Sequence, residues 1–408
     1  MIINLKKVFL YFLVLCTIHF WGYNRIPDTM YRLMELILVL YFLYRTAFIF
    51  HHGGMRFKIP ILIFILGTIL NMLSAFFNHD QMIRDSFIQF FPYYFILFYF
   101  ILHDQGFERE DMEKLILAMA ILYAVIYIFQ EQSYPNRFFN GAMYRDRGTL
   151  RLRIEGGGFI MLAYFLSLNR YLLNRRVIYL LLCGLFFYIT LKGGFRSLTA
   201  AAIILSAILY IKLVNRSGFN YFLVIVAAIA FIGMLQWDPT ARVIEGMISA
   251  TEEQQAEQDR GETNIRILQF EYFTKEYPKN FSYYIVGGGL PGAFGYYSNY
   301  MLRLQGNGYY WVDLGLIGFY FVIGLVALVG LLFYAIKATF IRLPENSLYL
   351  NFYFAYLLLG SIFTMEIYRI GLFGVEAIAL YLIDVSKSTT SNSETIQPEP
   401  AGKVVTSS

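Results

Sequence analysis

Apolar runs separated by short polar clusters recur along almost the whole chain. Runs of about 17–22 residues are each long enough to cross a ~30 Å hydrocarbon core as a helix. The pattern predicts about twelve spans, at 8–23, 30–50, 59–77, 87–102, 115–131, 157–173, 177–191, 197–214, 219–236, 309–335, 347–365 and 368–384. The first is short, and the second carries Arg32, Glu35 and Arg45. The expected fold class is therefore an all-α polytopic membrane protein with one membrane domain over 1–385. A long outward loop, 237–308, separates spans nine and ten. The segment from Ser386, SKSTTSNSETIQPEPAGKVVTSS, has too little apolar content to build a core and is expected to be a disordered tail over 386–408.

Composition supports the membrane class. The 408 residues are 58% hydrophobic and 15% charged, with mean hydropathy +0.53; soluble domains carry more charge, roughly 25%. Cys16 and Cys183 sit inside apolar runs and offer neither a disulfide framework nor a zinc pattern. The histidines are scattered without metal-ligand spacing. The start, MIINLKKVFLYFLVL, resembles a signal peptide, but no small-residue cleavage site follows Cys16–Tyr23, so an uncleaved first helix is expected.

The net charge of +5 reports topology before it reports partners. With the N-terminus inside, the inner segments hold Lys6, Lys7, Arg45, Arg56, Lys58, Arg109, Lys114, Arg170, Arg175, Arg176, Lys212, Arg216, Lys337, Arg342 and Lys387. The short outer loops then hold only Arg25, Arg84, Lys192, Arg196 and Arg369. Both termini fall on the cytoplasmic side. One short loop, roughly 132–156, breaks this bias. It carries Arg137, Arg145, Arg147, Arg151 and Arg153 and no lysine. Attraction to anionic lipid headgroups would accept lysine equally well. A guanidinium presents a planar fork that grips phosphate oxygens in pairs. Arginine alone therefore points to a diphosphate or polyanion site, with headgroup contact as the other reading.

Further candidates lie on the same expected face. Lys192 and Arg196 bracket the turn in LKGGFRSLTAAAIIL, where they either snorkel to the interface or face a cavity. In the long loop, Asp238-Pro239 opens a predicted helix, and NIRILQFEYFTKEYP is amphipathic and carries Arg266. The glycine-rich IVGGGLPGAFG suits a backbone that approaches a ligand closely. Outward carboxylates near an apolar boundary are Glu155, Glu245, Glu262, Asp313 and Glu366; Asp313 sits about one turn into YYWVDLGLIGFYF. It could accept a proton from an acceptor hydroxyl. His79 is the histidine placed in an outer loop, and His19 lies near the outer end of the first span. The run YYSNYMLRLQGNGYYWVD is dense in tyrosine and suits carbohydrate contact, with Asn307, Tyr309 and Tyr310 as candidates.

Arg145-Asp146-Arg147-Gly148-Thr149-Leu150, Thr190-Leu191-Lys192-Gly193-Gly194-Phe195-Arg196-Ser197, Val286-Gly287-Gly288-Gly289, Gly306-Asn307-Gly308-Tyr309-Tyr310 and Leu314-Gly315-Leu316-Ile317-Gly318 come in this order over roughly 130 to 335. In order, spacing and topology they resemble the O-antigen polymerase and O-antigen ligase superfamily of bacterial inner membranes. The resemblance implies a glycosyltransferase acting at the outer face on oligosaccharides carried by undecaprenyl diphosphate. It implies no metal, cofactor or nucleic-acid partner, and a flippase and chain-length regulator in the same pathway. It carries diphosphate binding to Arg145 or Arg147, to Arg196 and to Arg266, with Arg151 and Arg153 beside them; Arg196 and Asp313 are the expected catalytic groups. Gly306 stands where the ligase-type motif has histidine. That departure favours a Wzy-type polymerase over a ligase. A lipid-oligosaccharide flippase is the alternative from another class, although flippases would carry charge deep along many spans.

Overall fold

The computed structural model describes residues 5–49, 53–146, 149–214, 265–362 and 364–394. The expected span 219–236, the Asp238 helix start, Glu245, Glu262, Arg147 and residues 395–408 lie outside the described residues. The described chain is helical. In order come α1 (Leu5–Thr17), α2 (Asp28–Ile49), α3 (Lys58–His79), α4 (Ile83–Tyr94), α5 (Phe98–Gln105) and α6 (Arg109–Gln132). After a β-hairpin follow α7 (Gly158–Asn174), α8 (Val177–Lys192) and α9 (Arg196–Val214). Then come α10 (Ile265–Glu271), α11 (Ser282–Val286), α12 (Tyr296–Gly306), α13 (Leu316–Ile323), α14 (Leu325–Phe340), α15 (Leu348–Ser361) and α16 (Phe373–Glu394).

Among the described residues, four helices are long and apolar enough to cross a membrane: Lys58–His79, Ile83–Gln105, Arg109–Gln132 and Arg196–Val214. Val177–Lys192 and Leu325–Phe340 are shorter apolar helices. In Ile83–Gln105, Pro92 lies inside α4 and the chain tightens to a 3-10 turn at Phe95–Leu97 before α5. Proline removes one helical donor and crowds the preceding turn, which accounts for a change at that place. α16 is the most enclosed element, buried from Phe373 to Asp384. It runs on to Glu394, past the start of the expected tail.

Three further departures from the expected pattern have physical causes. The first apolar run ends as a helix at Thr17; His19, Phe20 and Trp21 then take positive φ of 47°, 48° and 58°. Hydropathy sees the aromatic residues but not the turn. The arginine loop is a two-stranded antiparallel hairpin, β1 (Gly141–Asp146) and β2 (Thr149–Ile154), so the fold is not purely helical. The expected span 309–335 is broken. A 3-10 turn at Trp311–Leu314 precedes α13, and Gly324, at φ +105°, separates α13 from α14.

That break is filled by the chain leaving α11. Gly288 N–H donates to Phe321 O at 2.9 Å and Gly289 N–H to Val322 O at 3.0 Å. A Cβ on Gly324 would lie 2.4 Å from the Val286 carbonyl carbon, so only glycine fits. Irregular backbone inside an apolar bundle must still find hydrogen bonds. α3 supplies them. Asn71 Nδ2 donates to Val286 O and Val322 O, both at 2.8 Å, and its Oδ1 accepts from Leu290 N–H at 2.9 Å. Ser74 Oγ donates to Gly287 O at 2.5 Å, and Gln81 holds Leu290 O and Gly292 N–H. α3 and α14 also touch backbone to backbone: Cβ atoms added at Gly67 and Gly330 would each lie 2.3 Å from a main-chain nitrogen of the facing helix.

Basic residues assigned to one side gather at one end of the bundle. Lys7 pairs with Asp111 at 2.7 Å, Arg109 with Glu113 at 2.8 Å, and Lys337 Nζ donates to Arg56 O at 2.7 Å. His103 meets Asp384 at 3.1 Å there too. The hairpin, the start of α9, α10 and the Trp311–Leu314 turn occupy the other end.

Candidate functional site

The site is built around the hairpin. Its register pairs Tyr144 with Arg151 and Ala142 with Arg153, so Arg151 and Arg153 fall on one set of alternating positions. Leu152 and Ile154, on the alternate set, are buried at 5% and 8% exposure. Period-2 alternation thus splits a basic stretch into an anchoring apolar face and a face of guanidinium groups. Arg145 is in register with Leu150, on the same alternate set as Leu152 and Ile154.

The hairpin foot is fixed to the α1–α2 connection. Tyr23 bridges to Phe139, and Asn24 N–H donates to Phe138 O at 3.0 Å. His19 sits between two carboxylates: its Nε2 lies 2.8 Å from Glu35 Oε1, and its Nδ1 bonds Glu155 directly after β2. Glu35 also meets Arg32 at 3.2 Å. Only a protonated imidazole donates from both nitrogens. Sequence reading missed this tether, because Glu35 and Glu155 lie far apart in the chain and each reads alone as an interfacial charge.

β2 leans on the turn that opens α9. The Arg153 guanidinium carbon is 4.5 Å from the Phe195 ring centroid, and that of Arg151 is 5.7 Å away. Both distances fit cation–π contact. A Cβ on Gly194, at φ +73°, would meet Arg151 Nε at 3.1 Å. Arg196 follows as the exposed first residue of α9. A helix start carries partial positive charge and unpaired N–H groups, so a cation there is disfavoured by itself and an anion is favoured.

The third wall is the Trp311–Leu314 turn. Asp313 N–H donates to Tyr310 O at 3.1 Å. Asp313 is open to solvent, yet loss of hydration to the surrounding protein raises its carboxyl above the ordinary value. Arg266 and Arg153 pull it back down. Arg266 reaches the turn because α10 packs there: Gln269 Nε2 donates to Gly308 O at 2.6 Å, and the Tyr272 and Tyr309 rings lie 5.2 Å apart. Arg151, Arg153, Arg196, Arg266 and Asp313, from four separate stretches, therefore belong to one neighbourhood.

Other candidates have different places. Lys192 pairs with Glu131 at 2.5 Å and Glu366 with Arg369 at 3.2 Å. Glu155 is held by His19. Asn307 is exposed just after α12, Tyr309 is half-buried and Tyr310 is 41% exposed. His79 belongs to an aromatic cluster, stacked on Tyr297 at 3.7 Å with its Nε2 3.1 Å from Tyr283 Oη. Tyr272 and Tyr300, from two different elements, join through their hydroxyls beside Tyr309. Tyr300 falls in the tyrosine-dense run already noted in the sequence, whereas Tyr272 did not stand out there.

No family model, curated protein or solved structure matches this chain.

Proposed function

We propose that this chain is a polysaccharide polymerase of the O-antigen polymerase type, a multi-pass enzyme of a bacterial cytoplasmic membrane with about twelve spans and both termini inside. One observation carries the reading. Arg153 of β2 and Arg266 of α10 both act on one carboxylate, Asp313, and Arg196 heads α9 next to the Phe195 ring that Arg153 covers, on the end of the bundle that charge bias assigns to the outside.

The donor is a growing saccharide on undecaprenyl diphosphate, and the acceptor is a hydroxyl of a second lipid-linked repeat. The acceptor oxygen forms a bond to the donor's anomeric carbon as the bond from that carbon to the diphosphate oxygen breaks. Asp313 takes the hydroxyl proton. Negative charge grows on the departing diphosphate, and preordered guanidinium groups stabilise it there more than in the ground state. Arg151, Arg153, Arg196 and Arg266 fill that role, and Arg145 and Arg147 are further candidates in the same stretch of sequence. Asn307, Tyr309 and Tyr310 lie where the sugars would pass. A chain-length regulator and a flippase are the expected pathway partners.

Arg153→Lys and Arg196→Lys test the reading, since each keeps the charge and loses the fork. Losing one charged hydrogen bond costs ~1.5–3 kcal/mol, or roughly 10–100-fold in rate. The assay is polymer length in cells lacking the native gene and turnover of purified protein in nanodiscs. Normal polymer length and rate in both variants would overturn the diphosphate assignment. In a deletion strain, single-repeat surface saccharide supports a polymerase. Long chains left on carrier lipid indicate a ligase instead, and no surface material indicates a flippase.

A further inference from the structure

Beyond the arginine pocket, the same end of the bundle carries two layers of tyrosine. The back layer is Tyr277, Tyr283 and Tyr297, at 1%, 0% and 2% exposure. Its hydroxyls are all engaged. Tyr277 and Tyr297 meet at 2.6 Å, Tyr297 donates to Gly289 O at 2.6 Å, and Tyr283 Oη lies 3.1 Å from His79 Nε2. This layer ties α10 and α12 to the glycine backbone that fills the α13–α14 break. It is rigid and closed.

The front layer differs. Tyr272, Tyr300 and Tyr309 are each half-buried. They come from three segments: the turn after α10, the middle of α12 and the approach to Asp313. Tyr272 and Tyr300 bond through their hydroxyls. The Tyr309 ring lies 5.2 Å from that of Tyr272 at 64°. Two hydroxyls are therefore occupied, so what this half-buried layer can offer a ligand is ring face, the Tyr300 ring also having Lys279 Nζ 6.0 Å from its centroid. A ring face is negative and attracts positively polarised hydrogen. The C–H face of a pyranose supplies such hydrogens and an apolar surface of matching size. Tyrosine rings lose few rotamers on binding, so a fixed platform costs little to order. Tyr310 and Asp313 share one turn, which places the platform beside the proposed base.

We propose that Tyr272, Tyr300 and Tyr309 form a saccharide-stacking platform that seats the acceptor repeat with its hydroxyl toward Asp313. This rests on the polymerase reading for which saccharide is the acceptor. The platform itself makes a separate claim: these rings bind a neutral sugar face.

Full-length protein in nanodiscs tests it. The probe is the repeat-unit saccharide released by mild acid from the lipid diphosphate of the source membranes. Saturation-transfer NMR on the wild type should show transfer from aromatic protons to the sugar C–H protons. In turnover with lipid-linked repeats, Tyr300→Phe keeps the ring and should stay within about 3-fold of wild type, a modest effect by the energy scale of one hydrogen bond. Tyr300→Ala and Tyr309→Ala should each raise the acceptor KM about 10-fold, with kcat changed far less. Melting temperatures near wild type establish that the variants are folded; an unfolded alanine variant leaves the NMR transfer and the other alanine variant to decide. Unchanged acceptor KM in a folded alanine variant, absent transfer, or Tyr300→Phe as harmful as Tyr300→Ala overturns the platform. Saccharide binding with transfer but no turnover by wild-type protein sinks the polymerase reading and leaves the platform standing.

Discussion

Replacing Asn71 with leucine should unseat the whole hairpin-end architecture. Asn71 is fully buried, and leucine keeps its branched four-atom skeleton but is bulkier, so overpacking can only add to the polar loss. The polar consequence is large. Asn71 satisfies three backbone groups: the carbonyls of Val286 and Val322 and the N–H of Leu290. Val322 O keeps its bond from Gly289 N–H, so two groups are left unpaired, at ~1–3 kcal/mol each or about 2–6 kcal/mol together. Whole domains are stable by only about 5–15 kcal/mol. The Gly287–Gly289 backbone would then leave the α13–α14 break, taking Tyr297 and the Asp313 turn with it. Thermal unfolding in detergent, followed by tryptophan fluorescence and aggregation, measures this. Ser74→Ala is the graded control, because it strips only one backbone bond, to Gly287 O at 2.5 Å, and one from the part-exposed Asn78 side chain, and should cost about 1–2 kcal/mol. Melting temperatures for Asn71→Leu equal to or above those for Ser74→Ala would refute the reasoning. They would mean that water or a relaxed backbone satisfies Val286 O and Leu290 N–H.

Asp313 gives a pH prediction with a definite sign. Its carboxyl is raised, chiefly by lost hydration, so the rising limb of the rate profile should lie above the ordinary carboxylate range, and Asp313→Asn should abolish that limb. A raised carboxyl contributes stability below the unfolded value, and this is lost as pH rises through the folded value; at neutral pH Asp313→Asn should therefore melt no lower than wild type. Gly67→Leu would drive a side chain into the Ala327 main chain, 2.3 Å from its nitrogen, and should cost at least ~1–3 kcal/mol. Melting temperature and expression level read it out, and unchanged stability would mean that α3 and α14 are not in backbone contact.

Helical character, the arginine-only composition of residues 132–156 and the candidacy of Arg196, Arg266 and Asp313 were all legible in the chain itself. Each depends on a local property: apolar run length, the choice of guanidinium over ammonium, or one charge inside an apolar segment. Such properties survive without neighbours. The first and tenth spans were misjudged for the same reason. Hydropathy sums side chains and is blind to backbone dihedrals, so it counted His19–Tyr23 into a helix and ran through Gly324 without a break.

What tertiary structure alone decided was convergence. Nothing local links Glu35 to Glu155 through His19, or Asn71 to Val286, Leu290 and Val322, because the two glutamates stand 120 positions apart (155 − 35) and the Asn71 contacts span 215 to 251 residues of chain. Nor does sequence tell which arginines lie near one another. Strand pairing puts Arg151 and Arg153 on alternating positions of one face, the Phe195 ring draws that face to the head of α9, and the docking of α10 brings Arg266 to Asp313. Local chemistry determined which residues could hold a diphosphate. Packing across the bundle determined which of them meet.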